Sequence, residues 1–243
     1  MNEQLRFLFD NLLDLVIGFP GHRPGGLLMS LFLAVFAIGI GFLIALLVGT
    51  GRYFAQPSHE PNLFWRMVGH LCQVYIELVR GLPLLLLLVL IHTFGNRDPR
   101  TSALMALTLY SSAYQAEIVR AGLQAVPQTL VDSARTLGST RWQTLVLVRW
   151  RYGLRLMLPA FTGEAISLFK DTSVVLILGV SELMTVSRVV LSSSGSTEPY
   201  WIGVSLLVGL LYFVVAFSLS QLAQRWEQGS ISADGIQSLA YER

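Results

Sequence analysis

The chain alternates long apolar blocks with short polar breaks, and the blocks have the length of membrane spans. Residues 27–49, "LLMSLFLAVFAIGIGFLIALLVG", carry no charge. A helix of about 20 apolar residues crosses about 30 Å of hydrocarbon. Further blocks at 72–94, 101–120, 158–180 and 200–222 predict an all-α membrane protein of about five transmembrane helices. Gly39 and Gly41 predict close approach of a neighbouring helix to the first span. Pro83 predicts a kink in the second. Ahead of the spans, Leu5, Leu8, Phe9, Leu12, Leu13 and Val16 recur at helical spacing, opposite Gln4, Arg6, Asn11 and Asp14. That pattern predicts an interfacial amphipathic helix over 3–17. "GFPGHRPGG" (18–26) then breaks it.

The organisation follows. Residues 1–26 form the interfacial helix and turn, 27–222 the membrane domain, and 223–243 a tail. "SRVVLSSSGSTEP" (187–199) reads as a polar turn between the last two spans. Within the membrane domain lies a polar loop at 121–157. Five spans put the termini on opposite sides, and arginine asymmetry sets the orientation. One side receives Arg52, Arg66, the arginines from Arg120 to Arg155, Arg225 and Arg243. The other receives Arg6, Arg23, Arg97, Arg100 and Arg188, so the N-terminus is expected outside and the C-terminus in the cytoplasm. Composition agrees: 53% of residues are hydrophobic and 13% charged, against about 25% charged in soluble domains. One cysteine, Cys72, excludes an internal disulfide.

The 121–157 loop is unusual for its arginines: Arg135, Arg141, Arg149, Arg151 and Arg155. Leu130, Ala134 and Leu137 share a helical face. Asp132 is expected near the helix start, where a negative charge suits the dipole. Gly138 is placed to end that helix, and Ser139 or Thr140 to cap a second one. Two short helices joined at Gly138 are therefore expected, with Ser133 and Ala134 small enough for a partner to approach. Arg135 and Arg141 lie near the bend, able to meet acidic groups. From the residues alone, a basic loop on anionic lipid headgroups is an equal reading.

"DSARTLG" (132–138) resembles the EAA loop of ABC-importer permeases. "YIELVRGLPLL" (75–85), "AYQAEIVRAGLQAVPQ" (113–128), "ARTLGSTRWQTL" (134–145) and "EAISLFKDTSVVLILGVSEL" (164–183) resemble, in order, the polar amino acid permeases of the histidine, glutamine, glutamate and arginine type. The resemblance implies an ABC type I importer-like fold in the bacterial inner membrane. It implies that Asp132, Ser133, Ala134, Arg135, Gly138, Arg141 and Trp142 couple the chain to an ATPase. It further implies a second permease chain, identical or sister, an extracytoplasmic solute-binding protein, and ATP with magnesium on the ATPase rather than here. The sequence departs from the family after the loop. Val148 keeps one position, but Trp150 and Arg151 replace a Leu and a Pro, so the return into the fourth span is expected to run as a longer helix.

Charges in the spans mark candidate sites. Glu164, Ser167 and Asp171 share a helix face, with Lys170 beside them. They read either as a packing network or as the substrate path for an amino acid. Tyr114 and Gln115 are candidates for the same path, or for hydroxyl-mediated helix packing. Glu77 with Arg80, and Glu117 with Arg120, sit three apart. They read as self-neutralising pairs or as gate and subunit contacts. No G-x-x-x-x-G-K-[ST] loop is present, so the chain is expected not to be an enzyme, with ATP hydrolysed on a partner. The four histidines are scattered and suggest no metal site. No cofactor and no nucleic acid is expected. The alternative function is a passive channel or a regulatory membrane subunit whose basic loop binds lipid.

Overall fold

The computed structural model describes the backbone of residues 3–21, 24–56, 62–193 and 200–238, with side chains among these from Arg6 to Arg225. Among the described residues the chain is helical apart from short connections and one isolated β-bridge, Gly26 with Glu182. The helices are α1 (Glu3–Ile17), α2 (Gly26–Phe54), α3 (Leu63–Gly81), α4 (Leu84–Gly95), α5 (Pro99–Gln124) and α6 (Gln128–Thr136). They continue as α7 (Arg141–Gln143), α8 (Arg151–Asp171), α9 (Leu183–Ser193) and α10 (Trp201–Ser238). A π-helical segment, Thr144–Trp150, joins α7 to α8, and a 3-10 segment, Thr172–Leu178, follows α8.

Among the described residues, α2 and Trp201–Arg225 of α10 are long and apolar enough to cross a membrane. The pair α3 and α4, bent by 105° at the break before Leu84, counts as a third if it is one span. Pro83 stands immediately ahead of α4, where a residue without an N–H ends the preceding helix and suits the next. α5 and α8 have the length, at 26 and 21 residues. Their ionised side chains, among them Glu117, Arg120, Glu164 and Lys170, lower their apolarity.

The chain divides into two compact units. The first comprises Met1–Gly41, Gly81–Ser111 and Ala165–Ser218. Its core holds Leu15, Leu183, Val186, Val190, Val204 and Val208, with Phe7 and Leu8 packed against them. The helix over 3–17 is present, but it docks through a different face from the one its pattern predicts. Leu15, about a quarter turn to one side of the predicted apolar stripe, is fully buried, while Phe9 and Leu13 on the other side point outward at 65% and 57% exposure. Phe7 also stacks on Tyr200, with ring centroids 4.4 Å apart. Of the expected polar turn at 187–199, residues 187–193 are instead the end of α9, and residues 194–199 lie outside the described residues. Leu183, Val186 and Val190 of α9 recur at helical spacing and are buried. The 3-10 segment packs on α4 and ends at Gly179 with a positive φ of 71°.

The second unit comprises Phe42–Arg80, Ser112–Glu164 and Leu219–Arg243. Its core holds Tyr53, Val119, Leu123, Leu145 and Met157. The close helix approach falls at Gly49. A β-carbon there would lie 2.6 Å from the Ala116 carbonyl oxygen, whereas around Gly39 the space is open. Gly49 faces α5 because the small Ala116 lets the backbones meet. Tyr75 of α3 and Ser112 of α5 share a hydroxyl hydrogen bond of 2.5 Å that ties the two helices together.

Candidate functional site

The 121–157 segment is an elbow of helices. α5 runs on to Gln124, and α6 starts after Pro127. α6 ends in a Schellman motif. Gly138 N–H donates to the Arg135 carbonyl at 2.9 Å and Ser139 N–H to the Ala134 carbonyl at 3.0 Å. Gly138 adopts φ +87°, a conformation that costs an ordinary L-residue about 1–2 kcal/mol. The next helix begins two residues on with a capping box. Gln143 N–H donates to Thr140 Oγ1 at 3.2 Å, and Thr140 N–H donates to Gln143 Oε1 at 2.9 Å. Thr140 is thus the cap that "STRWQ" was expected to supply. The helix then runs without a break from Arg141 to Asp171, as the missing proline implied.

Asp132 lies a full turn into α6 and accepts from Gln128 Nε2 at 3.0 Å. It does not sit in the first turn, so its charge gains less from the helix dipole than expected. Asp132, Ser133, Thr136 and Leu137 are exposed, Leu137 at 87%. Ala134 is half-buried and Val131 buried. Arg135, Arg141 and Trp142, assigned to coupling with Asp132, Ser133, Ala134 and Gly138, come together around one cavity with Val131, Thr144 and Leu145.

Arg149 locks the elbow, a role its place in a basic run does not announce. Its guanidinium donates to the Leu123 carbonyl at 2.9 Å and to Gln128 Oε1 at 3.0 Å, and lies 5.3 Å from the Tyr53 ring centroid. A cation at the end of α5 and over an aromatic face is favoured on both counts. Arg149 belongs to the π segment, a local widening common at functional sites.

The candidate gate pairs separate. Glu117 and Arg120 form the expected ion pair, with Arg120 Nε 3.0 Å from each carboxylate oxygen. Glu77 instead accepts from Gln73 Nε2 at 2.7 Å. Arg80 lies over the Tyr114 ring, 4.9 Å from its centroid, which brings a gate candidate to a path candidate. Gln115 is buried and Glu164 half-buried in this unit.

In the first unit, Ser167 and Lys170 are exposed and Asp171 is half-buried at the end of α8. This unit also holds a buried acid that the sequence pattern did not single out. Glu182, 0% exposed, accepts from Met184 N–H at 2.9 Å, Thr185 N–H at 2.7 Å, Thr185 Oγ1 at 3.0 Å and Tyr212 Oη at 3.4 Å. Beside it, Gly26 N–H donates to the Ser181 carbonyl and Leu183 N–H to Ser30 Oγ. Glu182 therefore caps the N-terminal end of α9, the positive end of that helix, while also reaching Tyr212 of α10. Its position two residues beyond an apolar run gave no sign of this.

Residues 62–229 match the family of binding-protein-dependent transport system inner membrane components. The chain is 32% identical over 209 residues to the probable glutamine ABC transporter permease GlnP of Bacillus subtilis, covering 83% of this chain and 90% of that one. It is 28% identical over 207 residues to the glutamine transport permease GlnP of Escherichia coli K12, covering 82% and 90%. A solved amino acid ABC transporter, crystallised with histidines, superposes with a TM-score of 0.78 at 27% identity, over 94% of this chain and 99% of that one. An inward-facing methionine transporter MetNI shares the fold, with a TM-score of 0.71 and 18% identity over 94% of this chain and 99% of that one. The chain belongs to the family of binding-protein-dependent transport system inner membrane components.

Proposed function

We propose that the chain is the membrane-spanning subunit of an ATP-driven importer of polar amino acids in a bacterial inner membrane. The observation that carries this is the elbow. A Schellman stop and a capping box fix two helices at Gly138, while Asp132, Ser133, Thr136 and Leu137 stay exposed on α6. An exposed Leu on a rigid corner is suited to a partner's groove. Its counterpart is a cytoplasmic ATPase that binds ATP and magnesium. Two permease chains, two ATPase subunits and an extracytoplasmic solute-binding protein complete the assembly. Permease relatives named for glutamine transport support the substrate class.

In this reading the chain has five spans, with the α3–α4 pair as one broken span and the N-terminus outside. The exposed Ser167 and Lys170 of α8 then need cover. A lysine facing hydrocarbon is costly, and a second chain with a polar path between the two removes that cost. Glu164, Asp171, Tyr114 and Gln115 belong to the path, and Glu77, Arg80, Glu117 and Arg120 to its gate. Binding of ATP by the partner moves the elbow, and the continuous run of α7, the π segment and α8 carries the motion from Arg141 into the path.

The test is uptake by proteoliposomes holding the chain, the ATPase and the binding protein. ATP-dependent accumulation of a labelled polar amino acid against its gradient is expected. Flux indifferent to ATP would overturn the reading in favour of a passive channel.

A further inference from the structure

In the second unit a cavity of about 380 Å³ opens beside the elbow, the size of a small-ligand pocket. Its lining includes Arg135, Arg141 and Arg149 together with Phe54, Trp65 and Trp142. The rings hold one another, with Phe54 centroids 5.2 Å from Trp65 and 6.0 Å from Trp142. No carboxylate is among the described lining residues. Arg149 is engaged with neutral partners, the Leu123 carbonyl, Gln128 and Tyr53. Among the described residues, neither Arg135 nor Arg141 has an acidic partner. Among the described residues, then, the cavity presents positive charge with nothing acidic lining it, and has the chemistry of an anion site with apolar lining.

Its position narrows the anion. Phe54 is the last residue of the apolar helix α2, and Trp65 stands in the first turn of α3. Tryptophan is favoured where hydrocarbon meets headgroups, and basic residues there attract anionic lipid. A free anion would use the guanidinium groups and leave the aromatic rings without a partner. Val131 and Arg135, one turn apart, line the cavity, and Arg135 and Arg141 are themselves exposed. An acidic side chain of a docked ATPase would use these guanidinium groups but, like a free anion, would leave the aromatic rings without a partner. We propose that this cavity holds the phosphate of an anionic phospholipid, with Arg135 and Arg141 as its charge partners. Phe54, Trp65 and Trp142 pack on the glycerol and the first acyl carbons. The bound lipid would brace the elbow against the end of α2. The inference rests on the chain's place in a membrane and not on its coupling to an ATPase.

The test is native mass spectrometry of the full chain released from nanodiscs of mixed phosphatidylglycerol and phosphatidylcholine. Selective retention of phosphatidylglycerol is expected. It should fall roughly tenfold or more in the double variant Arg135→Gln, Arg141→Gln. The double variant Arg135→Lys, Arg141→Lys should retain lipid at an intermediate level, and Arg100→Gln with Arg188→Gln at the native level. If the glutamine pair retains lipid as the native chain does, the proposal is overturned. Displacement of phosphatidylglycerol by excess inorganic phosphate would assign the cavity to a soluble anion instead. Unchanged lipid retention with loss of the co-purifying ATPase would assign it to a protein carboxylate. Either result is distinct from a failure of the importer reading, because lipid retention is read on the chain alone.

Discussion

Two polar clusters, one in each unit, make opposite use of their hydrogen-bonding groups. Around Glu182 the groups are turned inward. A fully buried carboxylate meets two backbone N–H groups and two hydroxyls. At the elbow only the backbone is closed in this way, by the Schellman motif and the capping box. The side chains of Asp132, Ser133, Arg135 and Arg141 stay exposed. Burying a charge is tolerable only with a full set of partners, so the first cluster is a structural fastening. The second keeps side chains available on a stiff backbone, the arrangement expected of a surface that another molecule reads. Charge alone does not distinguish the two, but the direction in which the hydrogen bonds point does.

The contrast can be broken at its strongest point. Gly138→Val forces a branched side chain into φ +87°, at a local cost of at least about 1–2 kcal/mol. ATP-driven uptake per folded molecule should fall about tenfold or more, while the melting temperature of the purified chain falls by only about a few degrees, because the cost is backbone strain alone and nothing lies within 4 Å of the missing side chain. A large loss of stability with normal uptake per folded molecule would reverse the assignment. Glu182→Ala should do the converse. It strands the donors of Met184 and Thr185 in a buried site, for a loss of about 2 kcal/mol. Glu182→Gln, which keeps an acceptor, should lose less. Thermal unfolding in detergent reads both.

Arg149→Met sharpens the boundary between the two kinds of cluster, since Arg149 belongs to the elbow but is bonded inward. The expected cost is about 1–2 kcal/mol, with protease sensitivity rising at Ala125–Pro127 rather than elsewhere. The smallest effect lies in the turn before α5. Asp98 Oδ2 accepts from Thr101 N–H at 3.0 Å and Oδ1 from Thr101 Oγ1 at 2.5 Å. These bonds hold the Asp98 carboxyl below its ordinary value. A lowered folded value means the contribution is fully present above the ordinary carboxylate value and is lost as pH falls through the folded one. Native chain and Asp98→Asn should therefore differ slightly in stability near neutrality and converge in acid. A difference that widened in acid would contradict the assignment.

Much of the elbow was legible in the sequence because its signals are local. Glycine at Gly138 sets a left-handed residue, Thr140 and Gln143 stand at capping-box spacing, and the missing proline lets the return helix run on. The fold elsewhere was less legible because the deciding partners are far along the chain. Gly49 and Gly39 look alike until Ala116 is set against one of them. Which face of α1 packs on the protein is not read from its own pattern, because residues of α9 and α10 far along the chain bury Leu15. The apolar spacing of Leu183, Val186 and Val190 begins beyond the end of an apolar block, so α9 passes for a turn. Glu182 and Arg149 have partners 30 and 26 residues away, and no short window of sequence contains them.

The most direct test of the central claim is mass spectrometry of what co-purifies with the chain from native membranes in mild detergent, run beside the Gly138→Val variant. A Walker-motif ATPase in stoichiometric amount with the native chain, and depleted with the variant, is the predicted result. An ATPase absent from the native chain under several gentle conditions, or bound equally by both, would contradict the coupling role of the elbow.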